Sequence, residues 1–222
     1  FEIEERLREL LDIPVFHDDQ HGTAIVVLAA LTNSLKLVSK KMSEVTIVMG
    51  GAGAAGTAIS RLLIKSGASK IIAFDKDGCV TAGFSGKISD AMKGADVFIG
   101  VSAPNVLTED DVAGMAKGSI VFALANPDPE IDPVTARKYA TVVATGRSDQ
   151  PNQINNVLAF PGIFRGLLDA QAHKITDELL IAAAEAIASC VSESQLYASF
   201  IVPSVFDSQV VAKVAAAVKK SV

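Results

Sequence analysis

Residues 45–56 read VTIVMGGAGAAG, a run of apolar and β-branched residues that ends in a glycine-rich loop. The run predicts a short strand that is buried on both faces, because it shows no alternation with polar residues. A helical pattern follows at residues 57–66. A strand, a glycine turn and a helix in this order are typical of the first unit of a doubly wound parallel sheet.

The alternation of strands and helices continues along the chain. Strand signals recur at residues 70–74, 95–99, 119–123 and 141–144, with helical stretches between most of them, such as 109–117. Longer helical patterns lie at residues 1–11, 23–39, 175–190 and 205–220. The sequence therefore predicts one α/β domain with a doubly wound parallel sheet of Rossmann type. A helical lead-in at residues 1–40 precedes it, and residues 41–222 hold the sheet core and the C-terminal helices.

Two local signals refine the helix boundaries. Pro161 and Gly162 interrupt an otherwise helical stretch, 153–170, and predict a break or kink there. Thr176 has the residue type of an N-cap and lies at the start of the pattern 175–190.

The composition is that of a chain that can bury a core. Half of the 222 residues are hydrophobic and 20% are charged. The net charge of −5 argues against a nucleic-acid partner. The apolar runs, such as 24–31, are far shorter than the roughly 20 residues that span a bilayer, so no membrane partner is expected. Cys79 and Cys190 lie far apart without metal-type spacing, which favours a cytoplasmic location.

The glycine-rich loop fits the pattern G-x-G-x-x-G. It consists of Gly51, Ala52, Gly53, Ala54, Ala55 and Gly56. In a dinucleotide site the first glycine permits the tight turn, the second lets the backbone approach a pyrophosphate, and the third lets helix and strand pack closely. Backbone N–H groups at the helix N-terminus then face the phosphates. The alternative is a glycine-rich turn without a ligand, but the flanking strand and helix favour dinucleotide binding.

The end of the next strand supplies a second part of the dinucleotide signal. Asp75 follows Gly56 by 19 residues, where an acidic side chain can accept hydrogen bonds from the adenosine ribose. Asp75 suggests NAD, whereas the neighbouring Lys76 suggests the 2′-phosphate of NADP. The residues leave both cofactors open.

Residues 15–24, VFHDDQHGTA, concentrate reactive groups beside a hydrophobic helix. Asp18 and Asp19 are adjacent, so their side chains can serve two different partners. Carboxylate oxygens are the ligands that Mg²⁺ or Mn²⁺ prefers. Alternatively, one aspartate caps the helix that starts at Thr23 and the other is solvated. His17 and His21 lack a third ligand at a helpful spacing, which disfavours zinc.

Four motifs occur together and in order: residues 16–24, the loop 51–56, residues 126–130 (NPDPE) and residues 153–162 (QINNVLAFPG). In this combination the chain resembles the malic enzymes, and among them the compact bacterial type. The resemblance implies oxidative decarboxylation of L-malate to pyruvate and CO₂, with NAD(P)⁺ taking the hydride and Mg²⁺ or Mn²⁺ as the metal. A homodimer is implied as well.

The resemblance also implies roles for single residues. Asp19 would bind the metal, and Asp18 would lie beside the catalytic lysine and tune it. Thr23 would begin its helix next to the cofactor. Asn126 would lie by the nicotinamide ribose and the substrate. Asn156 would hydrogen-bond a malate carboxylate, with Asn155 nearby.

Several of these residues have plainer alternatives. Ser102 follows a strand at the carboxyl edge of the sheet, where ligands of such folds bind, but it can equally be an ordinary loop residue. Asn126 precedes Pro127 and can simply shape a turn. Asn155 and Asn156 can cap or solvate a helix start.

The chain also departs from the malic enzyme pattern. The family's catalytic tyrosine and lysine come from a domain that precedes this segment, and a Glu-Asp pair of metal ligands belongs just upstream of Phe1. Tyr139 and Tyr197 do not match the catalytic tyrosine's motif. We therefore expect the chain to work with its own N-terminal catalytic domain and to be nearly inactive alone. The stretch from Gly78 to Gly86 is expected to be shorter than in family members.

Three other functions remain open at this point. A malolactic enzyme shares the architecture but retains NAD and releases lactate. A non-catalytic dinucleotide-binding sensor gives no reason for the Asp-Asp pair. The Rossmann domain of another dehydrogenase explains the glycine loop but not the segments 16–24 and 126–130.

Overall fold

A computed structural model describes residues 2–222, without the side chains of Glu2 and Glu5. Its centre is a six-stranded sheet with the order β3-β2-β1-β4-β5-β6. The strands are β1 (Thr46–Gly50), β2 (Lys70–Asp75), β3 (Gly78–Cys79), β4 (Val97–Gly100), β5 (Ile120–Ala123) and β6 (Val142–Thr145). All neighbouring strands are parallel except the short β3, which pairs antiparallel with β2.

The strand order reverses its direction at β1. From β1 the chain moves outward to β2 and β3 on one side, then returns to β4 beside β1 and continues outward to β5 and β6. Ile47 of β1 pairs with Ile71 of β2 on one side and with Val97 of β4 on the other. This is a doubly wound sheet with its switch point between β1 and β4, so the predicted fold class is confirmed.

Nine helices occur within residues 2–222. They are α1 (Glu2–Leu10), α2 (Thr23–Leu37), α3 (Ala54–Lys65), α4 (Ile88–Met92), α5 (Glu109–Ala113), α6 (Pro133–Ala136), α7 (Phe160–Ala170), α8 (Asp177–Ala188) and α9 (Ser208–Lys220). A wide helical turn, Asp18–Gly22, leads into α2, because the N–H of Thr23 reaches back to the carbonyl of Asp18. None of the described helices is long and apolar enough to cross a membrane.

Successive side chains of each strand enter two different cores. Ile47 and Met49 of β1 belong to the larger core, which also contains α2, α3 and α7–α9. Val48 points to the opposite face and joins a smaller core with α4, α5 and α6. Both faces of the sheet are therefore covered, which explains why the strands read as unbroken apolar runs.

Several predicted boundaries need correction, and the helices expected at 57–66, 175–190 and 205–220 span Ala54–Lys65, Asp177–Ala188 and Ser208–Lys220. The strands begin and end up to two residues later than expected, and α5 ends at Ala113 instead of residue 117. The predicted break at Pro161 is wrong: α7 begins at Phe160, so Pro161 lies in its first turn, where no intrahelical hydrogen bond is lost. Thr176 is confirmed as an N-cap, since its hydroxyl accepts from Leu179 N at 3.3 Å. Phe1 lies outside the described residues.

The stretch after β2 is a tight hairpin that closes the edge of the sheet. Thr81 Oγ1 accepts a hydrogen bond from Ala73 N at 2.8 Å and lies 3.4 Å from Ile71 O, to which it donates. The Thr81 side chain thus makes hydrogen bonds to β2 that the backbone of a longer neighbouring strand would otherwise make. The edge of β2 is thus partly covered without a full sixth parallel strand.

Two glycines allow α7 and α9 to pack closely. A Cβ added to Gly166 would lie 2.6 Å from Val218 Cβ and 2.7 Å from Ala215 O. At Gly162 the added atom would lie 2.5 Å from Val214 Cβ. The spacing of four residues places both glycines on the same face of α7.

Replacing Gly166 with alanine should destabilise the protein. The methyl group must displace α9, at a typical overpacking cost of about 1–3 kcal/mol, which exceeds the helix-propensity gain of about 1 kcal/mol or less. Urea unfolding would measure the change. As a control, Ala216→Leu enlarges an exposed position of α9 and should change the free energy of unfolding by about 0.5 kcal/mol or less. An unchanged unfolding midpoint for Gly166→Ala would contradict the packing seen here.

Candidate active site at the sheet switch point

Two cavities open at the carboxyl edge of the strands, on either side of α3's N-terminus. The first, named here the glycine-loop cavity, has about 850 Å³ and is lined by Gly51, Ala52, Gly53, Asp75, Lys76 and Ser102, among others. The second, named the aspartate cavity, has about 600 Å³ and is lined by Asp18, Asp19, Thr23, Ala55, Asn126, Asn155 and Asn156, among others. Of the sequence-predicted site residues, only Ala54 and Gly56 line neither.

The glycine loop has the geometry that its sequence predicts. Gly51 adopts a φ of +107°, a left-handed conformation that favours glycine. A Cβ at Gly56 would collide with the carbonyl oxygen of Gly51, so α3 can approach β1 only with glycine at this position. Gly53 differs, because a Cβ added there would meet nothing within 4 Å. The space before Gly53 is therefore open to a ligand, and the first-turn N–H groups of α3 lack intrahelical partners.

Asp75 lies at the far side of the glycine-loop cavity, at the end of β2. Its Oδ1 accepts hydrogen bonds from Asp77 N at 2.8 Å and Gly78 N at 3.0 Å. These bonds hold the carboxylate in the turn before β3. Lys76 lines the same cavity, so a carboxylate and an ammonium group both face a ligand there. The geometry, like the sequence, accommodates both NAD and NADP.

A chain of hydrogen bonds connects the wide turn Asp18–Gly22, called the Asp-Asp turn below, to the segment before α7. Thr23 Oγ1 donates to Asn156 Oδ1 at 3.1 Å. Asn156 Nδ2 in turn lies 3.2 Å from both Asp18 O and Asp18 Oδ2, to which it donates. The Asn156 side chain therefore donates both of its N–H groups to Asp18 and accepts one hydrogen bond from Thr23.

Asp18 carries a buried oxygen without a partner. Its Oδ1 has no hydrogen bond within residues 2–222, although the atom is removed from solvent. A buried carboxylate oxygen without a donor typically costs about 1–3 kcal/mol, and more for a charged group. Gly22 allows this arrangement, because a Cβ there would collide with the same oxygen. A cation or an N–H donor from outside residues 2–222 would satisfy Asp18 Oδ1.

Asp19 faces solvent and is free to bind a cation. Neither Asp19 nor Asp18 makes a side-chain capping bond at the wide turn or at α2, so the capping alternative is wrong. Across the described part of the chain, no three His, Cys, Asp or Glu side chains converge as a metal site. The residues seen here fit a divalent cation as one or two carboxylate ligands, not as a complete coordination shell.

His21 fastens the wide turn to α1. Its Nδ1 accepts a hydrogen bond from His17 N at 3.1 Å, and its Nε2 lies 3.4 Å from Glu4 Oε1. The ring packs on Phe16 with centroids 5.3 Å apart. Burial lowers the pKa of His21, and the Glu4 carboxylate opposes this shift. These contacts give His21 a structural role and agree with the argument against zinc.

Asn155 and Asn126 differ from Asn156 in their contacts. Asn155 Oδ1 accepts from Val157 N at 3.0 Å and so caps the short turn Asn156–Leu158. The capping alternative therefore holds for Asn155. Its amide nitrogen donates no hydrogen bond to any atom of residues 2–222. Asn126 lies in the loop after β5 and lines the aspartate cavity. Its role beside the cofactor stays a prediction.

Glu130 is a site residue to which the sequence assigned no role. Its side chain has 0% exposure. Oε1 accepts from Ser102 N at 2.9 Å and Ser102 Oγ at 3.3 Å, and Oε2 accepts from Ala125 N at 3.0 Å. Burial raises the pKa of Glu130, and the hydrogen bonds from Ser102 and Ala125 oppose this. The only available sequence signal was its place at the end of the motif that carries Asn126.

A doubly wound sheet with a glycine loop at its switch point and cavities on both sides defines the class of dinucleotide-binding α/β domains. Comparison with known families is more specific. The family model described as malic enzyme, NAD binding domain, matches residues 20–90 and 87–222. The chain belongs to this family.

Individual relatives agree with the assignment. The NAD-dependent malic enzyme of Geobacillus stearothermophilus is 53% identical over 98% of this chain and 50% of its own length. The bifunctional malic/malolactic enzyme of Bacillus subtilis is 51% identical over 100% of this chain and 59% of its own length. The crystal structure of the NAD-dependent malic enzyme from Thermotoga maritima superposes with a TM-score of 0.95 at 43% identity, covering 100% of this chain and 64% of that one. The chain thus spans about half to two thirds of these relatives.

The same comparisons support the expectation of a short segment after β2. The alignment with the B. subtilis enzyme runs over 242 residues, whereas this chain has 222. The two matched pieces of the family model meet at residues 87–90. This position directly follows the Gly78–Gly86 stretch and its tight hairpin.

The two glycines of the loop should respond differently to alanine. Gly53→Ala places a methyl group in open space, so stability should fall by at most about 1 kcal/mol while dinucleotide affinity drops about tenfold or more. Gly56→Ala pushes α3 away from the Gly51 carbonyl and should destabilise the fold by about 1–3 kcal/mol. Thermal unfolding and calorimetric titration with NAD⁺ would measure both. Equal stability losses in the two variants would contradict the loop geometry.

Proposed function

We propose that this chain is the NAD(P)-binding part of a malic enzyme, which converts L-malate to pyruvate and CO₂ with a divalent metal while NAD(P)⁺ accepts the hydride. One observation carries the proposal: two aspartates, Asp18 and Asp19, and three asparagines line one cavity beside the N-terminus of α3. A dinucleotide on the glycine loop and a small acid at the aspartates would meet there.

The names of the relatives support this activity and leave the cofactor open. Relatives are named NAD-dependent, NADP-dependent and bifunctional malic/malolactic enzymes. Because this chain covers only part of each of them, the activity of the whole protein remains a proposal. Both NAD and NADP fit the pairing of Asp75 with Lys76.

The charges of the aspartate cavity require partners from elsewhere. The described residues that line it include two carboxylates, Asp18 and Asp19, and no lysine or arginine. Malate carries two negative charges, so it would be repelled unless cations neutralise the site. We infer that Asp19 holds Mg²⁺ or Mn²⁺, and that a lysine of an N-terminal catalytic domain faces Asp18. A divalent metal held by Asp19 would supply Lewis-acid polarisation of the substrate, which favours the loss of CO₂.

The chain's own residues orient this chemistry. The Asp18 carboxylate would lie beside the neutral lysine amine that receives the malate hydroxyl proton, and its negative charge would stabilise the ammonium that forms. Asn156 keeps Asp18 in place through its two donated hydrogen bonds. To bind a malate carboxylate as well, Asn156 would have to release Asp18, so Asn155 is the freer donor. Val101, Leu124 and Ile154 form an apolar wall that limits water near the reacting carbons.

Two other outcomes are distinguished by simple measurements. A malolactic enzyme would release lactate instead of pyruvate, and product analysis separates the two. A dinucleotide sensor would bind NAD(P) without any need for metal or for Asp19. The homodimer stays a prediction from the family resemblance, and the cytoplasmic location stays a prediction from the spacing of the two cysteines.

Asp19→Asn should abolish most activity of the full-length parent protein. The amide removes the charge that holds the cation, and a fall in kcat/KM of at least about 100-fold is expected. The assay is malate-dependent reduction of NAD⁺ and NADP⁺ with Mn²⁺. Asp110→Asn, on the exposed side of α5, is the matched control and should retain activity. If the parent never oxidises malate but binds dinucleotide, and Asp19→Asn changes nothing, the sensor function is favoured instead.

Asn156→Ala should lower kcat more than it raises the KM for the dinucleotide. The substitution frees Asp18 from its hydrogen bonds, and losing such an orienting partner typically costs about 10–100-fold. Asn155→Ala is the comparison, because Asn155 does not contact Asp18 in the structure; its kcat should fall less. Steady-state kinetics of the parent protein measure both, and a larger kcat loss for Asn155→Ala would reverse the assignment.

A further inference from the structure

A single buried carboxylate joins two loops of the site. Glu130 accepts hydrogen bonds from Ser102 in the loop after β4 and from Ala125 in the loop after β5. The backbone adds two more bonds between the same segments, from Asn105 N to Pro129 O at 3.1 Å and from Leu107 N to Glu130 O at 3.0 Å. The last residue of β4 is Gly100, where a Cβ would collide with the Glu130 carboxyl group. The fold therefore makes room for this carboxylate at the end of β4.

The loop after β4 reaches both cavities, since its first residue, Val101, lines the aspartate cavity, and the loop after β5 reaches the aspartate cavity. Ser102 lines the glycine-loop cavity, whereas Asn126, which follows Ala125 directly, lines the aspartate cavity. Glu130 itself lines neither and is fully buried between them. A ligand confined to the glycine-loop cavity touches the loop after β4, and a ligand that also enters the aspartate cavity touches both loops.

We propose that Glu130 is a positioning residue that fixes the spacing between the two halves of the dinucleotide cleft. The proposal rests on the dinucleotide binding put forward above. It predicts that a complete dinucleotide depends on Glu130, whereas a nucleotide that fills only the glycine-loop cavity does not.

The hydrogen-bond chemistry explains why a carboxylate serves this purpose. An ionised glutamate only accepts, and both loops present N–H donors, so each oxygen can hold one loop. A glutamine at this position would place an N–H₂ group against one of the two backbone N–H groups. One loop would then be released while the other stayed bonded.

The same bonds define what Ser102 can offer to a ligand. Its backbone N–H is committed to Glu130, and its hydroxyl proton points to the same oxygen. The hydroxyl oxygen remains as an acceptor toward the cavity. Ser102 would therefore receive a hydrogen bond from a ribose hydroxyl instead of donating one to a phosphate.

The test compares two ligands on the full-length parent protein and its Glu130→Gln variant. NAD⁺ or NADP⁺, whichever the wild type binds more tightly, spans both cavities, and ADP fills only the glycine-loop cavity. Calorimetric titration should show a loss of about tenfold or more in dinucleotide affinity, and a change of about twofold or less for ADP. Glu44→Gln, an exposed control, should change neither. If Glu130→Gln does not fold, Glu130→Asp, which withdraws the carboxylate by one methylene, should show the same order of effects.

The outcomes separate the proposal from its alternatives. If the Glu130→Gln variant lost affinity equally for the dinucleotide and for ADP, Glu130 would have only a general structural role. That result would overturn the proposal. Unchanged binding of both ligands would overturn it as well. Failure of the wild-type parent to bind any dinucleotide would instead refute the proposed function, and with it the present inference.

Discussion

The contact between Gly56 and the carbonyl of Gly51 is the constraint on which the site depends. It allows α3 to approach the turn after β1 more closely than any side chain permits. This approach places the N-terminus of α3 at the switch point of the sheet, where β2 and β4 lie on opposite sides of β1. The glycine-loop cavity and the aspartate cavity form on the two sides of that helix end. A different residue at position 56 would move the helix and alter both cavities together.

Three carboxylates near the switch point differ in their burial and in the hydrogen bonds that the fold provides to them. Glu130 is fully buried, and hydrogen bonds occupy both of its oxygens. Asp18 has one oxygen bonded to Asn156 and one that is buried without a partner among residues 2–222. Asp19 is exposed, and the described residues give its side chain no hydrogen bond. Buried charge is tolerated only with compensating donors, so the fully bonded Glu130 suits a structural role, whereas Asp18 and Asp19 suit the metal and lysine roles of the proposed function.

The Asp-Asp turn is itself held from two directions. His21 links it to α1 through Glu4, and Asn156 links it to the segment before α7. The wide turn Asp18–Gly22 directs the two adjacent aspartates differently, one toward Asn156 and one toward solvent. The chain therefore presents a pre-formed pair of carboxylates. Within residues 2–222 the lining of the aspartate cavity contains no basic side chain, so the proposed binding of malate requires cations at this site.

The sequence alone determined the fold class, the glycine loop, the approximate positions of five of the strands and the identity of the family motifs. These features depend on local patterns: unbroken apolar runs, glycines at fixed spacing and caps such as Thr176. The start of α7 at Phe160 was missed, because a proline reads as a break unless the helix is known to begin there. Only the tertiary structure decided that Asp18 pairs with Asn156 and that Glu130 bridges Ser102 and Ala125. Such contacts join residues that are far apart in the chain, and their strength comes from burial, which no local pattern records.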